Sequence, residues 1–116
     1  MFEPRLIALA GDVIRRCQDR GQPVTVAESC TGGLIAACLT EVPGASTVID
    51  RTFVTYGNRA KHDLLGVSAD LLKARGAVCE EVARAMAEGA LSRAEAGFAV
   101  AVTGIAGPGG GSATRP

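Results

Sequence analysis

Ser29 is the residue whose type and position in this sequence most directly suggest catalysis. It follows residues 24–28, a run typical of a short β-strand, and it precedes a Gly-Gly pair and a small-residue helical pattern. Activated serines of hydrolases occupy strand-to-helix turns of this kind, although the Gly-x-Ser-x-Gly motif is absent here. The structural alternative is that Ser29 caps the following helix, as serine often does. The residues alone leave both interpretations open.

An activated serine needs a base, and Lys61 is a better candidate than His62. His62 and Asp63 are neighbours on a predicted helix, so their side chains point in different directions and do not suit a Ser-His-Asp triad. We interpret His62 as a solvated helix residue. Lys61 is predicted in the first helical turn, where the helix dipole disfavours a further positive charge, and burial would lower the pKa of its amine. The alternative is an ordinary exposed lysine.

Two further loops carry groups that could contact a substrate. Tyr56, the only tyrosine, could donate to a developing oxyanion, stack on a ring or merely cover the edge of the sheet. Thr103, Gly104 and Gly107 could offer a hydroxyl and main-chain N–H groups to a phosphate or a carboxamide. This Gly-rich loop lacks the lysine of a P-loop, and no Gly-x-Gly-x-x-Gly follows the first strand, so a plain flexible loop is the alternative.

The elements that must position these residues follow from the periodicity of the sequence. Apolar spacing and Gly or Pro stop signals predict helices over residues 4–20, 34–40, 59–65, 69–74 and 79–93. Apolar and β-branched runs predict strands over 24–28, 48–56 and 98–102, the last of them buried on both faces. Alternating strands and helices predict an α/β layered domain with a largely parallel sheet. The loops after the three strands would therefore converge on one edge of the sheet.

Composition excludes several other classes of protein. Of the 116 residues 47% are hydrophobic and 3% aromatic, and Lys+Arg and Asp+Glu both number 12. An apolar chain of zero net charge is not typical of disorder, and without a basic excess or many aromatic residues it is not typical of a nucleic-acid platform. No apolar run reaches the roughly 18 residues that a membrane span needs. We therefore expect no nucleic-acid and no membrane partner.

The four cysteines are not spaced as metal ligands. No Cys-x-x-Cys is present, and the sequence has one histidine. The first residues lack the basic region and long apolar stretch of a secretory signal, so the scattered thiols indicate a reducing cytoplasm. Cys17 and Cys38 fall on apolar faces of predicted helices, and we interpret them as small core hydrophobes.

Four motifs follow one another along the chain. They are Val-Ala-Glu-Ser-Cys-Thr-Gly-Gly over 26–33, Pro-Gly-Ala-Ser over 43–46, Tyr-Gly-Asn-Arg-Ala-Lys over 56–61 with Leu-Gly-Val over 65–67, and Thr-Gly-Ile-Ala-Gly-Pro-Gly-Gly over 103–110. Together they resemble the CinA C-terminal domain family, which includes nicotinamide-nucleotide amidohydrolases and domains fused to competence- and damage-inducible proteins. The resemblance runs from near residue 5 to the end of the sequence.

The resemblance implies a three-layer α/β/α domain that hydrolyses the carboxamide of nicotinamide mononucleotide, giving nicotinic acid mononucleotide and ammonia without a metal or other cofactor. The expected partner is therefore a small pyridine nucleotide. Carried over to this chain, the resemblance implies Ser29 as the nucleophile, Lys61 as its general base and Tyr56 as a supporting residue. The residues implied to bind substrate or to form the oxyanion hole are Thr31, Gly32, Gly44, Ala45, Ser46, Asn58, Thr103, Gly104 and Gly107.

The sequence also departs from the family pattern. Gly57 stands where the family commonly has Ser after the Tyr, and Cys79 stands where a Ser-like helix cap is expected. Family domains continue after the Gly-rich loop with at least another strand and a closing helix, so we expect residues 1–116 to form a single domain that lacks its last elements. The alternative to an enzyme is a catalytically inactive nucleotide-binding or interaction module. Small-residue helix faces and an unpaired sheet edge predict a homodimer.

Overall fold

Helices and short strands alternate along the part of the chain that the computed structural model describes, which is residues 1–113 and Arg115; Thr114 and Pro116 lie outside it. The helices are α1 (Pro4–Arg20), α2 (Leu34–Thr40), α3 (Asn58–Leu65), α4 (Ala69–Arg75) and α5 (Glu80–Ala94). The strands are β1 (Val24–Glu28), β2 (Phe53–Val54) and β3 (Phe98–Val102), and a 3-10 turn spans Ala45–Thr47. The predicted bounds of α1, α2, β1 and β3 are confirmed, those of α3 and α4 differ by one residue at one end, and those of α5 by one residue at each end.

The strands form a parallel sheet in the order β2-β1-β3. The central strand β1 pairs with β3 along its whole length, in a register that sets Glu28 opposite both Val54 of β2 and Val102 of β3. Helices connect the strands, as parallel neighbours require. All three strands therefore end at the same edge of the sheet, where the predicted site residues Ser29, Tyr56 and Thr103 follow.

Helical layers cover both faces of the central strand, and every side chain of β1 is buried. Val24 and Val26 pack with residues of α1 and α2 into one cluster of the core. Ala27 points to the opposite face and packs with residues of α3, α4 and α5 into a second cluster. These layers on a small open parallel sheet confirm the predicted α/β class.

The first helix shows how the sequence fixes one outer layer. Pro4 lies in the first turn of α1, where its missing N–H costs nothing. Ala10, Ile14 and Cys17 form the buried face, which confirms Cys17 as a core residue. The helix ends at Gly21, whose φ of 62° lies in the left-handed region that glycine adopts without strain. None of the helices in the described part of the chain is long and apolar enough to cross a bilayer.

The second strand is much shorter than predicted. The prediction of a strand over 48–56 was wrong for all but the two residues of β2. Asp50 and Arg51 form an exposed ion pair, with 2.6 Å between Arg51 Nε and Asp50 Oδ2. The Thr25 hydroxyl donates a hydrogen bond to the Arg51 carbonyl oxygen. Val24 N donates to Val48 O at 2.9 Å at the amino end of β1. Because the next two charged side chains favour solvent, the chain then runs irregularly, and the strand ladder forms only at the carboxyl end of β1.

The third strand is not buried on both faces, so this part of its prediction was also wrong. Phe98 and Val100 are 42% and 53% exposed, and their register partners on β1 face the α1–α2 layer. Ala101, on the opposite face, packs against the second core cluster. β3 lies at an edge of the sheet formed by the described residues, and the cluster under α1 and α2 includes Val24 and Val26 of β1 but neither Phe98 nor Val100.

Candidate active site

Ser29 and Lys61 meet at the carboxyl end of β1. Ser29 is the first residue after the strand, and Lys61 extends from α3 so that its Nζ lies 2.9 Å from Ser29 Oγ. Lys61 is fully buried, with 0% exposure, and Ser29 is 7% exposed. The fold therefore brings together two candidate catalytic groups that are 32 positions apart in the sequence.

Two main-chain carbonyls complete the surroundings of the amine. Lys61 Nζ donates to Thr55 O at 2.8 Å and to Tyr56 O at 2.9 Å. A neutral amine has two N–H bonds and one lone pair, so the carbonyls occupy both N–H bonds and leave the lone pair for the Ser29 hydroxyl. A charged ammonium can use three N–H bonds on the same three oxygens, while the serine hydroxyl donates to Tyr56 O at 3.3 Å. The same geometry thus suits a group that takes up a proton and returns it.

Burial favours the neutral form of this amine. Removal of the charged amine from water lowers the pKa of Lys61 below its ordinary value of 10.5, and the neighbouring Cys30 acts in the opposite direction. The described hydrogen-bond partners of Nζ are one hydroxyl and two carbonyls, with no carboxylate among them. A lysine held in this way is closer to the proton-accepting state than an exposed lysine is.

The end of β2 and the start of α3 bring the two carbonyls to the amine. Thr55 N donates to Glu28 O at 2.8 Å, which holds Thr55 beside the end of β1. Gly57 then precedes α3, and Lys61 N donates to Gly57 O at 3.1 Å in the first turn. Because helical side chains tilt toward the helix N-terminus, Lys61 reaches back to the carbonyls of Thr55 and Tyr56.

A buried carboxylate fixes the turn after β1. Glu28 Oε1 accepts hydrogen bonds from Thr31 Oγ1 at 2.6 Å and Ile35 N at 3.0 Å, and Oε2 accepts one from Ala36 N at 2.9 Å. Burial alone would raise the pKa of the Glu28 carboxyl, but these hydrogen bonds and one from Gly33 N together hold that pKa below its ordinary value of 4.5. Glu28 therefore binds the first N–H groups of α2 as an anion.

The structure excludes one of the two alternatives that the sequence left open for each of Ser29 and Lys61. Ser29 does not cap α2, because the N-cap position is Gly33 and the Glu28 carboxylate binds the helix N–H groups. Lys61 is not exposed. The cap and the exposed-lysine interpretations were therefore wrong. His62 is exposed on α3, as predicted.

Tyr56 contacts the pair through its main chain. Its carbonyl oxygen accepts hydrogen bonds from Lys61 Nζ and Ser29 Oγ, whereas the residue as a whole is 72% exposed. The group beside the pair is thus a carbonyl rather than the phenol. Stacking of the ring on a substrate, or donation from its hydroxyl, stays a prediction.

Thr31 and Gly32 share the turn with Ser29, but their polar groups already have protein partners. The Thr31 hydroxyl donates to Glu28, and Gly32 N donates to Ser29 O at 3.0 Å. Both contacts stabilise the shape of the turn. A direct contact of these two residues with substrate stays a prediction.

The Gly-rich loop begins beside Ser29. Ser29 N donates to Val102 O at 3.0 Å, so the next residue, Thr103, starts the loop at the Ser29 turn. The Thr103 hydroxyl donates to Ala77 O at 2.9 Å and anchors the loop to the segment before α5. Gly104 and Gly107 follow this anchor, and their contacts with substrate stay predictions.

The remaining predicted residues line other cavities. Asn58, at the start of α3, lines a cavity of about 360 Å³ between α3 and α4. Gly44, Ala45 and Ser46 line a cavity of about 440 Å³ together with residues 49–52. In the described part of the chain, neither cavity is lined by the Ser–Lys pair, and the assignment of these residues to substrate or oxyanion stays a prediction.

Two groups that build the site were missed by the sequence reasoning. Glu28 was assigned to β1 without a role, although an acidic residue shortly before a helix is a signal for helix-terminus binding. Thr55 acts through its main-chain carbonyl, which every residue has, so no sequence signal could identify it.

These observations define a class of protein: an α/β domain with a buried Ser–Lys pair at the carboxyl end of its central strand. The sequence profile of the CinA C-terminal domain matches residues 6–116. The chain belongs to this family, which confirms the resemblance seen in the four motifs.

Individual relatives agree with this assignment. The chain is 53% identical over 116 residues to the nicotinamide-nucleotide amidohydrolase PncC of Enterobacter agglomerans, covering 100% of this chain and 71% of that protein. It is 54% identical over 104 residues to a CinA-like protein of Anaeromyxobacter sp. (strain K), covering 90% of this chain and 26% of that protein. The chain thus spans about a quarter of the length of the longer relatives.

A solved structure agrees as well. The competence/damage inducible protein CihA from Agrobacterium tumefaciens matches with a TM-score of 0.95 and 55% sequence identity, over 100% of this chain and 70% of that chain. The CinA fold is therefore common to this chain and to a crystallographically determined relative.

Proposed function

We propose that this domain is a nicotinamide-nucleotide amidohydrolase in which Ser29 is the nucleophile and Lys61 the general base. The observation that carries the proposal is the 2.9 Å contact between Lys61 Nζ and Ser29 Oγ, made by a buried amine whose described partners include no carboxylate. The name of the Enterobacter relative supports the substrate class, because 53% identity extends over the whole chain.

The first half of the reaction forms an ester on the serine. Lys61 Nζ takes the proton of the Ser29 hydroxyl while Oγ attacks the carbonyl carbon of the carboxamide. The resulting tetrahedral oxyanion needs N–H donors. The family resemblance implies the segment from Gly44 to Ser46 for this role, but within this chain that segment lies beside Gln18, near the amino end of β1, so the mechanism assigns it no contact with the oxyanion. The ammonium of Lys61 then returns its proton to the leaving nitrogen, the C–N bond breaks and ammonia departs.

The second half releases the acid. Lys61, neutral again, takes a proton from a water molecule, whose oxygen attacks the ester carbonyl. Collapse of this second oxyanion breaks the bond to Ser29 Oγ, and the proton on Lys61 returns to the serine. The product is a nucleotide carboxylate. The carbonyls of Thr55 and Tyr56 hold the amine in one place through both halves, since they accept N–H bonds in either protonation state.

The test is ammonia release from nicotinamide mononucleotide by the purified chain. Ser29→Ala and Lys61→Met are expected to lower kcat by about 10³-fold or more. Matched controls are Ser92→Ala and Lys73→Met, which remove an exposed serine and an exposed lysine elsewhere and are expected to retain full activity. An ester between Ser29 Oγ and the carboxyl group of the whole nucleotide, detected by mass spectrometry in the first turnover, would identify the nucleophile directly.

The outcome also separates an enzyme from an inactive binding module. Full activity in either site variant contradicts the Ser–Lys mechanism. An intact chain that binds the nucleotide but releases no ammonia contradicts the enzymatic proposal and favours the module. The homodimer, the single-domain extent and the cytoplasmic location stay predictions.

A further inference from the structure

Glu28 connects both halves of the Ser–Lys pair to the central strand. Through its side chain it holds the turn that follows Ser29, and through its main-chain carbonyl it accepts a hydrogen bond from Thr55 N at 2.8 Å. Thr55 in turn offers its own carbonyl to Lys61 Nζ at 2.8 Å. One residue of β1 therefore links the nucleophile on one side to the support of the base on the other.

Both oxygens of the Glu28 carboxylate accept hydrogen bonds from the turn and from the start of α2. Glu28 has 0% exposure, and both of its oxygens accept hydrogen bonds from the segment over 31–36. It forms no ion pair with Lys61 in the described residues, where the amine contacts only uncharged oxygens. The carboxylate thus acts on the position of Ser29 without holding Lys61 in its charged form.

We infer that Glu28 is a positioning residue, whose buried carboxylate anchors the turn over 30–33 so that Ser29 Oγ stays within reach of Lys61 Nζ. The inference rests on the proposed function for its kinetic part only. Glu28 does not touch the reacting atoms. It acts through the main chain of Ser29, the next residue, which is followed directly by the anchored turn.

Glu28→Gln is the sharpest perturbation. An amide has the size of the carboxyl group but carries one oxygen and one NH₂ group. In either orientation its NH₂ group faces the N–H of Ile35 or of Ala36, so two donors meet and one hydrogen bond is lost. A displacement of about 1 Å can reduce catalysis by about 10²-fold. We expect kcat for ammonia release to fall by about that factor with KM nearly unchanged.

Two further variants make the comparison specific. Thr31→Val removes one of the hydrogen bonds to Glu28 and should lower kcat less than Glu28→Gln does, with the fold retained. Thr25→Val is the matched control, because Thr25 is equally buried on the same strand and its hydroxyl donates at 2.8 Å to a carbonyl away from the pair. It should lower the melting temperature while leaving kcat unchanged.

The pH profile separates positioning from electrostatics. The acid limb of kcat/KM should report the titration of Lys61, and Glu28→Gln should lower the whole profile without moving that limb. A limb shifted toward lower pH would show that the Glu28 charge acts on Lys61 and would overturn the inference. A raised KM with unchanged kcat, or wild-type kcat, would overturn it as well.

Amide hydrogen exchange supplies a readout that does not need activity. In Glu28→Gln, exchange at Ile35 and Ala36 is expected to accelerate by more than about tenfold, whereas exchange in the middle of α5, at Met86, should stay unchanged. If the wild-type chain releases no ammonia, the proposed function fails, and hydrogen exchange alone then tests whether Glu28 anchors the turn. Acceleration confined to the turn and α2 then supports the anchor, and unchanged exchange overturns it.

Discussion

The buried amine of Lys61 should make the stability of this protein depend on pH. An unfolded lysine titrates at its ordinary pKa of 10.5, and burial lowers that pKa in the fold. Between the two values the unfolded chain binds one more proton than the folded chain, so the free energy of unfolding increases with pH. The slope is about 1.4 kcal/mol per pH unit within this interval. Lys61→Met removes the titrating group and should remove this contribution.

Urea unfolding between pH 7.5 and 10 measures the effect. The other titrating groups are common to wild type and variant, so the difference between their slopes isolates Lys61. Lys73→Met is the matched control, since it removes the exposed and only other lysine and should keep the wild-type slope. Equal slopes for wild type and Lys61→Met up to pH 10 would refute the argument that burial favours the neutral amine.

Three more measurements follow from the same structure. Ile14→Ala empties a fully packed position on α1 and should cost about 2–5 kcal/mol in urea unfolding, while the kcat of the folded protein stays unchanged. Gly89→Ala should destabilise by about 1–3 kcal/mol or more, because a Cβ there would overlap the Leu65 carbonyl where α5 crosses α3. The kcat/KM for ammonia release should rise with pH below 10.5 as Lys61 loses its proton, and a rate that is flat from pH 5 to 10 would contradict a lysine base.

The sequence predicted most of the fold because local signals and burial agree. The bounds of α1 are set by Pro4, by an apolar face that recurs at helical spacing and by a glycine in the left-handed region at Gly21. β1 is a short strand between a proline and the Ser29 turn, and its valines at alternate positions, Val24 and Val26, pack into one cluster of the core. In α1 the apolar residues that recur at helical spacing also contribute to the core, whereas the exposed Pro4 and Gly21 set only the ends of the helix.

The predictions failed where tertiary contacts decide. The residues from Val48 to Tyr56 have strand propensity, but the strand ladder with β1 forms only at Phe53 and Val54, beyond the exposed Asp50–Arg51 ion pair. β3 has an apolar sequence, yet its burial depends on which elements pack against an edge strand. Strand propensity does not encode these neighbours. The pattern of residue types specifies an element more reliably than it specifies the neighbours of that element.

The candidate site was predictable to the same degree. Ser29 and Lys61 could be nominated because a hydroxyl in a strand-to-helix turn and an amine in the first turn of a helix have recognisable positions. The groups that hold Ser29 and Lys61 in place could not be nominated from the sequence. The carbonyl of Thr55 has no sequence signature, and the role of Glu28 depends on N–H groups seven and eight residues further along the chain.

The candidate site contains two buried ionisable groups, Glu28 and Lys61, whose described hydrogen bonds do not join them to each other. Had the Glu28 carboxylate contacted Lys61 Nζ, the ion pair would have raised the pKa of the amine and removed its capacity to accept a proton near neutral pH. The Glu28 charge is instead stabilised by the N–H groups of the turn and of α2, and the Lys61 amine is held by carbonyls that tolerate either protonation state. Separate stabilisation of the two groups keeps Glu28 ionised in the turn and leaves Lys61 without a carboxylate partner, as the proposed proton exchange with Ser29 requires.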